Sequence, residues 1–151
     1  MGNTRLDMSM LFPAEQNNYA GSSIAVWFLV LINIVGTMRS LVHIFYHDSG
    51  AQSIATMNVN VAGGQNIVAL LGQWGGGQLI MALIIWIILW RYRVLIPLMI
   101  AEIAIEQLVR IGIGRMKPVI SVHTPPGALG SYIVLPLATI MFIISLMRSE
   151  E

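Results

Sequence analysis

Apolar residues in this chain run continuously rather than alternating, and they do so over four stretches, residues 22–46, 66–90, 95–113 and 129–147. The first opens on the uninterrupted IAVWFLVLI of residues 24–32. Alternation is what a membrane barrel would need, so these runs point to helices, and a helix crossing a bilayer takes about 20 predominantly apolar residues. Composition agrees: of 151 residues 56% are hydrophobic and 10% charged, where a soluble domain carries about 25% charged residues. An ordinary globular fold and a disordered chain are both excluded. The expected fold class is an all-α integral membrane protein, a four-transmembrane-helix bundle over residues 22–148 behind a polar N-terminal tail over residues 1–21.

The tail contains Pro13 and lacks the apolar run and small-residue cleavage site of a secretory signal, so it is expected to stay in place as a loose segment. Residues 6–12 are weakly apolar, enough for contact with a membrane surface. Between the first two spans lies a Gly-, Ser-, Asn- and Gln-rich loop without Lys or Arg. The second span closes on Arg91, Tyr92 and Arg93, and Trp86, Trp90 and Tyr92 sit where an interfacial aromatic belt belongs. The third begins almost at once, which predicts a tight antiparallel hairpin with Pro97 in its first helical turn, where the missing N–H costs little. Pro118, Pro125 and Pro126 interrupt the loop before the fourth span.

Lys and Arg outside the spans set the orientation. With both ends inside, the cytoplasmic side holds Arg5, Arg91, Arg93 and Arg148, and the far side Arg115 and Lys117. An N-in, C-in, multi-pass membrane protein follows.

The third span carries Glu102, Glu106 and Arg110, each four residues after the last, which stacks them within about 80 degrees of one helix face. A charge at the centre of a span costs roughly 2.5–3.5 kcal/mol, and each Leu, Ile, Val or Phe returns roughly 0.3–0.6. The aliphatic residues of this span offset about two unpaired charges, so the charged face must turn toward other helices. Arg39, in the first span, shares its spacing with His43 and His47 and should lie at the depth of Glu106. A buried guanidinium cannot shed its charge and fits two carboxylate oxygens. This predicts a direct Arg39–Glu106 pair, with Glu102 deeper. The second span adds Asn66, Gln73 and Gln78 and the glycines 72, 75, 76 and 77. Gly72 and Gly76 make a small-xxx-small pair, expected to form a packing groove within the bundle or, alternatively, a seam to a second copy or another membrane protein.

Sharper chemistries find less support. His43, His47 and His123, with Asp48 and Glu106, are the residues available for a metal site, but the segment HIFYH lacks the Glu of an H-E-x-x-H helix. Haem would need His123 as its second axial ligand, because two ligands from one helix at this spacing cannot straddle an iron. No cofactor is assigned. There is no G-K-[ST] phosphate loop, no G-x-S-x-G elbow and no cysteine. A net charge of +1 excludes a polybasic nucleic-acid binder. Intramembrane Glu residues also mark proton paths, which keeps a small oligomeric proton-coupled transporter and a haem- or quinone-associated protein as alternatives, although the chain has no internal repeat of the transporter kind.

In order, HDSGAQSIATM, QNIVALLGQWGGGQL, RYRVLIPLM, EQLVRIGIGRMKP and HTPPGALGSY resemble a family of small bacterial inner-membrane proteins with four predicted spans, distantly DoxX-like. The resemblance covers residues 24–147. It implies four spans and an inner-membrane location, and it brings no reaction with it. It directs attention to Asp48, Gly50, Gln52, Ser53, Gln73, Trp74, Glu106, Arg110 and Lys117, which would gather toward one membrane face. Gly50 and the Pro125–Pro126–Gly127 turn are explained by backbone geometry; Asp48 and Gln52 are not, and join the candidates.

The expectation is thus a lipid-embedded, non-enzymatic binding or accessory component. Its polar pocket faces the non-cytoplasmic side, with Glu106 and Arg110 as anchors, Arg39 and Glu102 in support, and Gln73 as a hydrogen-bonding wall.

Overall fold

The computed structural model describes residues 14–147 and is all-helical. Its helices are α1 (Ser23–Phe45), α2 (Gly64–Arg91), α3 (Ile96–Met116) and α4 (Pro126–Ser145), with one 3₁₀ turn, Arg93–Leu95, joining α2 to α3. At about 1.5 Å per residue these helices are roughly 34, 42, 32 and 30 Å long, against a hydrocarbon core of about 30 Å. Three of them, α1, α2 and α4, are both long and apolar enough to cross a membrane. α3 has the length, but its charges set it apart. Arg5, Arg148 and the weakly apolar residues 6–12 lie outside the described residues.

Local chemistry accounts for the ends. The Ser22 hydroxyl accepts a hydrogen bond from the Ile24 amide at 3.3 Å, capping α1. Pro97 occupies the first turn of α3, and Pro126 opens α4 behind Pro125. Pro136 lies inside α4, where a soluble helix would lose a backbone hydrogen bond and where bundled membrane helices tolerate it.

α1 packs along α2, and α3 along α4; α1 also touches α3 and α4, while α2 meets α3 only lightly and α4 not at all. The core fills the end where α2 turns into α3. Leu29, Ile96 and Ile100 are fully buried there, among Ala25, Ile85, Ile88, Met99 and Ala138. The described part of the polar tail is tied across this same end. The Gln16 amide donates to the Arg91 carbonyl at 3.1 Å, and the Val94 amide donates to the Gln16 carbonyl at 3.3 Å. Glu15 pairs with Arg91 at 3.2 Å, and the Tyr19 hydroxyl donates to the Ser145 carbonyl at 2.8 Å.

At the other end the small residues act differently from the expected Gly72–Gly76 pair. A Cβ on Gly75 would collide with the His43 Cβ and approach the Ser40 carbonyl, and one on Gly72 would touch Ser49 and His43, whereas one on Gly76 would meet nothing. The close approach of α2 to α1 therefore runs through Gly72 and Gly75, three residues apart.

The loop after α1 is built around Asp48. Its carboxylate accepts from the Gly50 amide at 2.8 Å, the Gln52 amide at 3.0 Å, the Ser53 amide at 2.6 Å and the Ser53 hydroxyl at 2.9 Å. Gly50, at φ 74°, takes the left-handed conformation that glycine adopts without strain. The two long loops are clasped together: the Val122 amide donates to the Thr56 carbonyl at 3.1 Å and the His123 amide to the Thr56 hydroxyl at 3.0 Å.

Candidate binding cavity among the four helices

The buried positions of α3 are Ile96, Met99, Ile100, Ile103 and Gln107, a stripe at helical spacing that faces the bundle. Glu102, Glu106 and Arg110 flank it and are half-buried, while Ile105, Leu108 and Val109 on the opposite side are 60%, 59% and 50% exposed. A soluble amphipathic helix has its polar face outside. α3 departs from this: Glu102, Glu106 and Arg110 border its buried aliphatic stripe, while further aliphatic residues are exposed on the other side.

Those charges line a cavity of about 480 Å³ to which all four helices contribute. Gln78 of α2 lies at its centre. The Arg39 guanidinium donates through Nη2 to the Gln78 Oε1 at 2.8 Å, and the Gln78 amide nitrogen donates to Glu106 Oε1 at 2.8 Å. Glu106 also accepts from the Gln107 side chain at 3.2 Å and pairs with Arg110, one turn along its own helix, at 3.8 Å. The direct Arg39–Glu106 pair expected from the sequence is thus replaced by a bridge. A glutamine between a cation and an anion offers its carbonyl to one and its N–H to the other, spanning two helices that keep their distance.

Trp74 completes the cluster. The guanidinium carbons of Arg39 and Arg110 each lie 5.2 Å from its ring centroid, within cation–π range. An electron-rich ring near two like charges attracts both and offsets part of their repulsion. α4 comes close to the same group: a Cβ on Gly127 would lie 3.2 Å from Arg110 Nη2, so a side chain there would crowd the guanidinium. Arg39 Nε is buried and has no hydrogen-bond partner. Glu102 lines the cavity one turn from Glu106, and no hydrogen bond to its carboxylate occurs among the described residues.

Of the sequence-derived candidates, Arg39, Glu102, Glu106 and Arg110 gather in this cavity. Gln73 does not: it is exposed on α2 and outside the lining. Gln73 and Gln78 are five residues apart, about 140 degrees around a helix, so only one of them can face inward, and it is Gln78. The sequence holds a signal for this, since Gln78 follows Gly72 and Gly75 at helical spacing on the face that meets α1. Gln107 likewise continues the stripe of Ile96, Ile100 and Ile103. Asp48 and Gln52 also fall outside. Asp48 is spent on its own loop: burial opposes its ionisation, but the four hydrogen bonds from Ser53, Gly50 and Gln52 outweigh this and hold the carboxyl below the usual carboxylate range. Gln52 is exposed and accepts from the Asn60 side chain at 3.4 Å.

The three histidines do not assemble. The His43 ring packs against Trp74 at 5.0 Å between centroids, with Nδ1 2.7 Å from the Ser49 carbonyl. His47 lies against Tyr46, and His123 is exposed in the far loop. Among the described residues no three metal-ligating His, Asp or Glu side chains come together.

No family model, curated protein or solved structure matches this chain. The site must speak through its own geometry. That geometry holds two guanidiniums, two carboxylates of which Glu106 is engaged and Glu102 is not hydrogen-bonded among the described residues, and bridging amides.

Proposed function

We propose that this chain is a four-span integral protein of the inner membrane, with both ends cytoplasmic, and that it binds a ligand without transforming it, acting as a binding or accessory component. The observation that carries the reading is the placement of charge on α3. Its three charged residues line a cavity inside the bundle, while Ile105, Leu108 and Val109 face outward. A helix built this way is stable when its outward face meets acyl chains, which makes α3 the fourth span. Arg91 and Arg93 at the α2–α3 turn, with Arg5 and Arg148, against Arg115 and Lys117 at the loop end, put that turn on the cytoplasmic side. The cavity's polar layer then opens toward the non-cytoplasmic side. The resemblance to DoxX-like proteins supports the inner membrane as its location.

A purely structural use of the cavity makes a different prediction from a binding use, and Gly77 separates them. Gly77 lines the cavity, and a Cβ there would meet nothing within 4 Å. A side chain can therefore start from Gly77 without a clash at its Cβ, and Gly77→Leu adds bulk at the cavity wall. We expect it to fold at least as stably as the natural protein and to lose a small molecule that co-purifies with the natural protein from lipid, read by mass spectrometry. Identical small-molecule content in both proteins overturns the binding reading.

One observation favours a second reading. Glu102 sits in the cavity with no ion-pair partner within 4 Å among the described residues, as a titrating group of a small proton-coupled transporter would. Proton-driven solute flux in proteoliposomes, abolished by Glu102→Gln, would establish that reading in place of simple binding.

A further inference from the structure

The cavity is polar at one level and apolar at the next. Trp74, Arg110 and Gly127 lie toward the long loops, with Arg39, Gln78 and Glu106 beside them. Ile32, Ile85 and Val134 line the part that approaches the core. A lipid in the leaflet on the loop side has the same polarity, with its head toward the loops and its chain toward the bilayer centre. The volume, about 480 Å³, falls within the range of roughly 300–1,000 Å³ typical of small-molecule sites.

Around Trp74 the unused hydrogen-bonding capacity belongs to donors; the unused acceptor of the cavity is Glu102, one turn from Glu106 along α3. Glu106 already takes Gln78 on one oxygen and Gln107 on the other, with Arg110 beside it. Arg39, a five-donor fork, spends one bond on Gln78 and has its Nε buried and unpartnered. A ligand that completes the layer around Trp74 brings acceptor oxygens, and an anionic oxygen is the strongest hydrogen-bond partner for a buried guanidinium N–H. Resting on the binding reading above, we infer that the cavity takes a single-chain amphiphile with an anionic head, a carboxylate or a phosphate. The head bonds to Arg39 beside Trp74 and Arg110, and the chain runs toward Ile32, Ile85 and Val134.

Glu102 is the feature that opposes this assignment, since a lone carboxylate in the same cavity suits a cationic head. Three probes of equal chain length decide between them: dodecanoate, dodecyl phosphate and dodecyltrimethylammonium. Each is titrated into the full-length protein in nanodiscs and followed by calorimetry and by the shift in unfolding temperature. The expected result is binding of one or both anionic probes, weakened at least tenfold by Arg39→Gln and abolished in Gly77→Leu. Which anionic probe binds more tightly identifies the head as carboxylate or phosphate. Should Arg39→Gln fail to fold, Arg39→Lys keeps the charge but removes the fork, and the same weakening is expected. Tighter binding of the ammonium probe, lost in Glu102→Gln, overturns the anionic assignment while leaving the binding reading intact. Binding of any probe that is indifferent to Gly77→Leu, or binding of none, overturns both.

Discussion

Replacing Gln78 with leucine removes the one side chain that joins the cation of α1 to the acid of α3. Two hydrogen bonds are lost, each 2.8 Å long and each to a charged group. In water-soluble proteins such bonds contribute about 1.5–3 kcal/mol apiece. Between membrane helices side-chain hydrogen bonds average nearer 0.6 kcal/mol, with a maximum of about 1.7, which brackets the pair between roughly 1.2 and 3.4 kcal/mol. Two features of the structure place the loss inside that bracket. Arg39 Nε already lacks a hydrogen-bond partner among the described residues, so loss of the Gln78 bond leaves the guanidinium further undersatisfied. Against that, the adjoining cavity has room for water, which recovers part of the loss. Gln78→Leu should therefore destabilise the protein by about 2 kcal/mol, measured as unfolding free energy in bicelles. The more pointed assay is a double-mutant cycle between Arg39→Gln and Glu106→Gln, run with Gln78 present and with Gln78→Leu. The bridge predicts a coupling above about 0.5 kcal/mol with Gln78 present that collapses toward zero without it. A coupling that survives Gln78→Leu undiminished would mean that Arg39 and Glu106 interact directly, and the reasoning would be refuted.

Two further outcomes follow from the loop and the α1–α2 contact. Asp48→Asn should cost about 1–3 kcal/mol at pH 7, because a buried carboxylate accepting four hydrogen bonds is lost. Its folded-state pKa lies below the ordinary value, so the natural protein keeps this stabilisation at neutral pH and loses it only as the pH falls through that depressed value. The variant should show less loss of stability over the same acid range in melts recorded against pH. Gly75→Val should destabilise by about 1–3 kcal/mol through overpacking against His43, while Gly76→Val, pointing into open space, should stay within about 0.5 kcal/mol. Equal melting shifts for the two would contradict the assigned contact.

The helical architecture was legible in the sequence because hydropathy is a property of long windows. The runs over residues 22–46, 66–90 and 129–147 correspond to α1, α2 and α4, and the four-residue spacing of Glu102, Glu106 and Arg110 was enough to turn that face inward. The cluster around it was legible only in part. Arg39 and Glu106 do share one cluster, through Gln78, but the partner of Arg39 depends on how far apart two backbones stand, which spacing along one helix does not encode. The choice between Gln73 and Gln78 turned on which face of α2 meets α1, and a run of glycines offers several registers; close approach at Gly75 and none at Gly76 settles it. Asp48 and Gln52 were drawn in by resemblance rather than by physics. For Asp48 the loop's own amides, two to five residues on, account for a buried carboxylate without any ligand.

Because the chain contains no cysteine, single cysteines can be introduced without background, and their labelling by a membrane-impermeant maleimide tests most directly whether α3, charges inward, crosses the bilayer. The positions are Val94 at the α2–α3 turn, Ile105 and Val109 on the outward face of α3, and Ile120 in the following loop, which is 94% exposed. The account predicts that a cysteine at 120 labels in intact cells and one at 94 only after the membrane is opened, with 105 and 109 protected throughout. Labelling of 94 and 120 from the same side, or free labelling of 105 and 109, would contradict it.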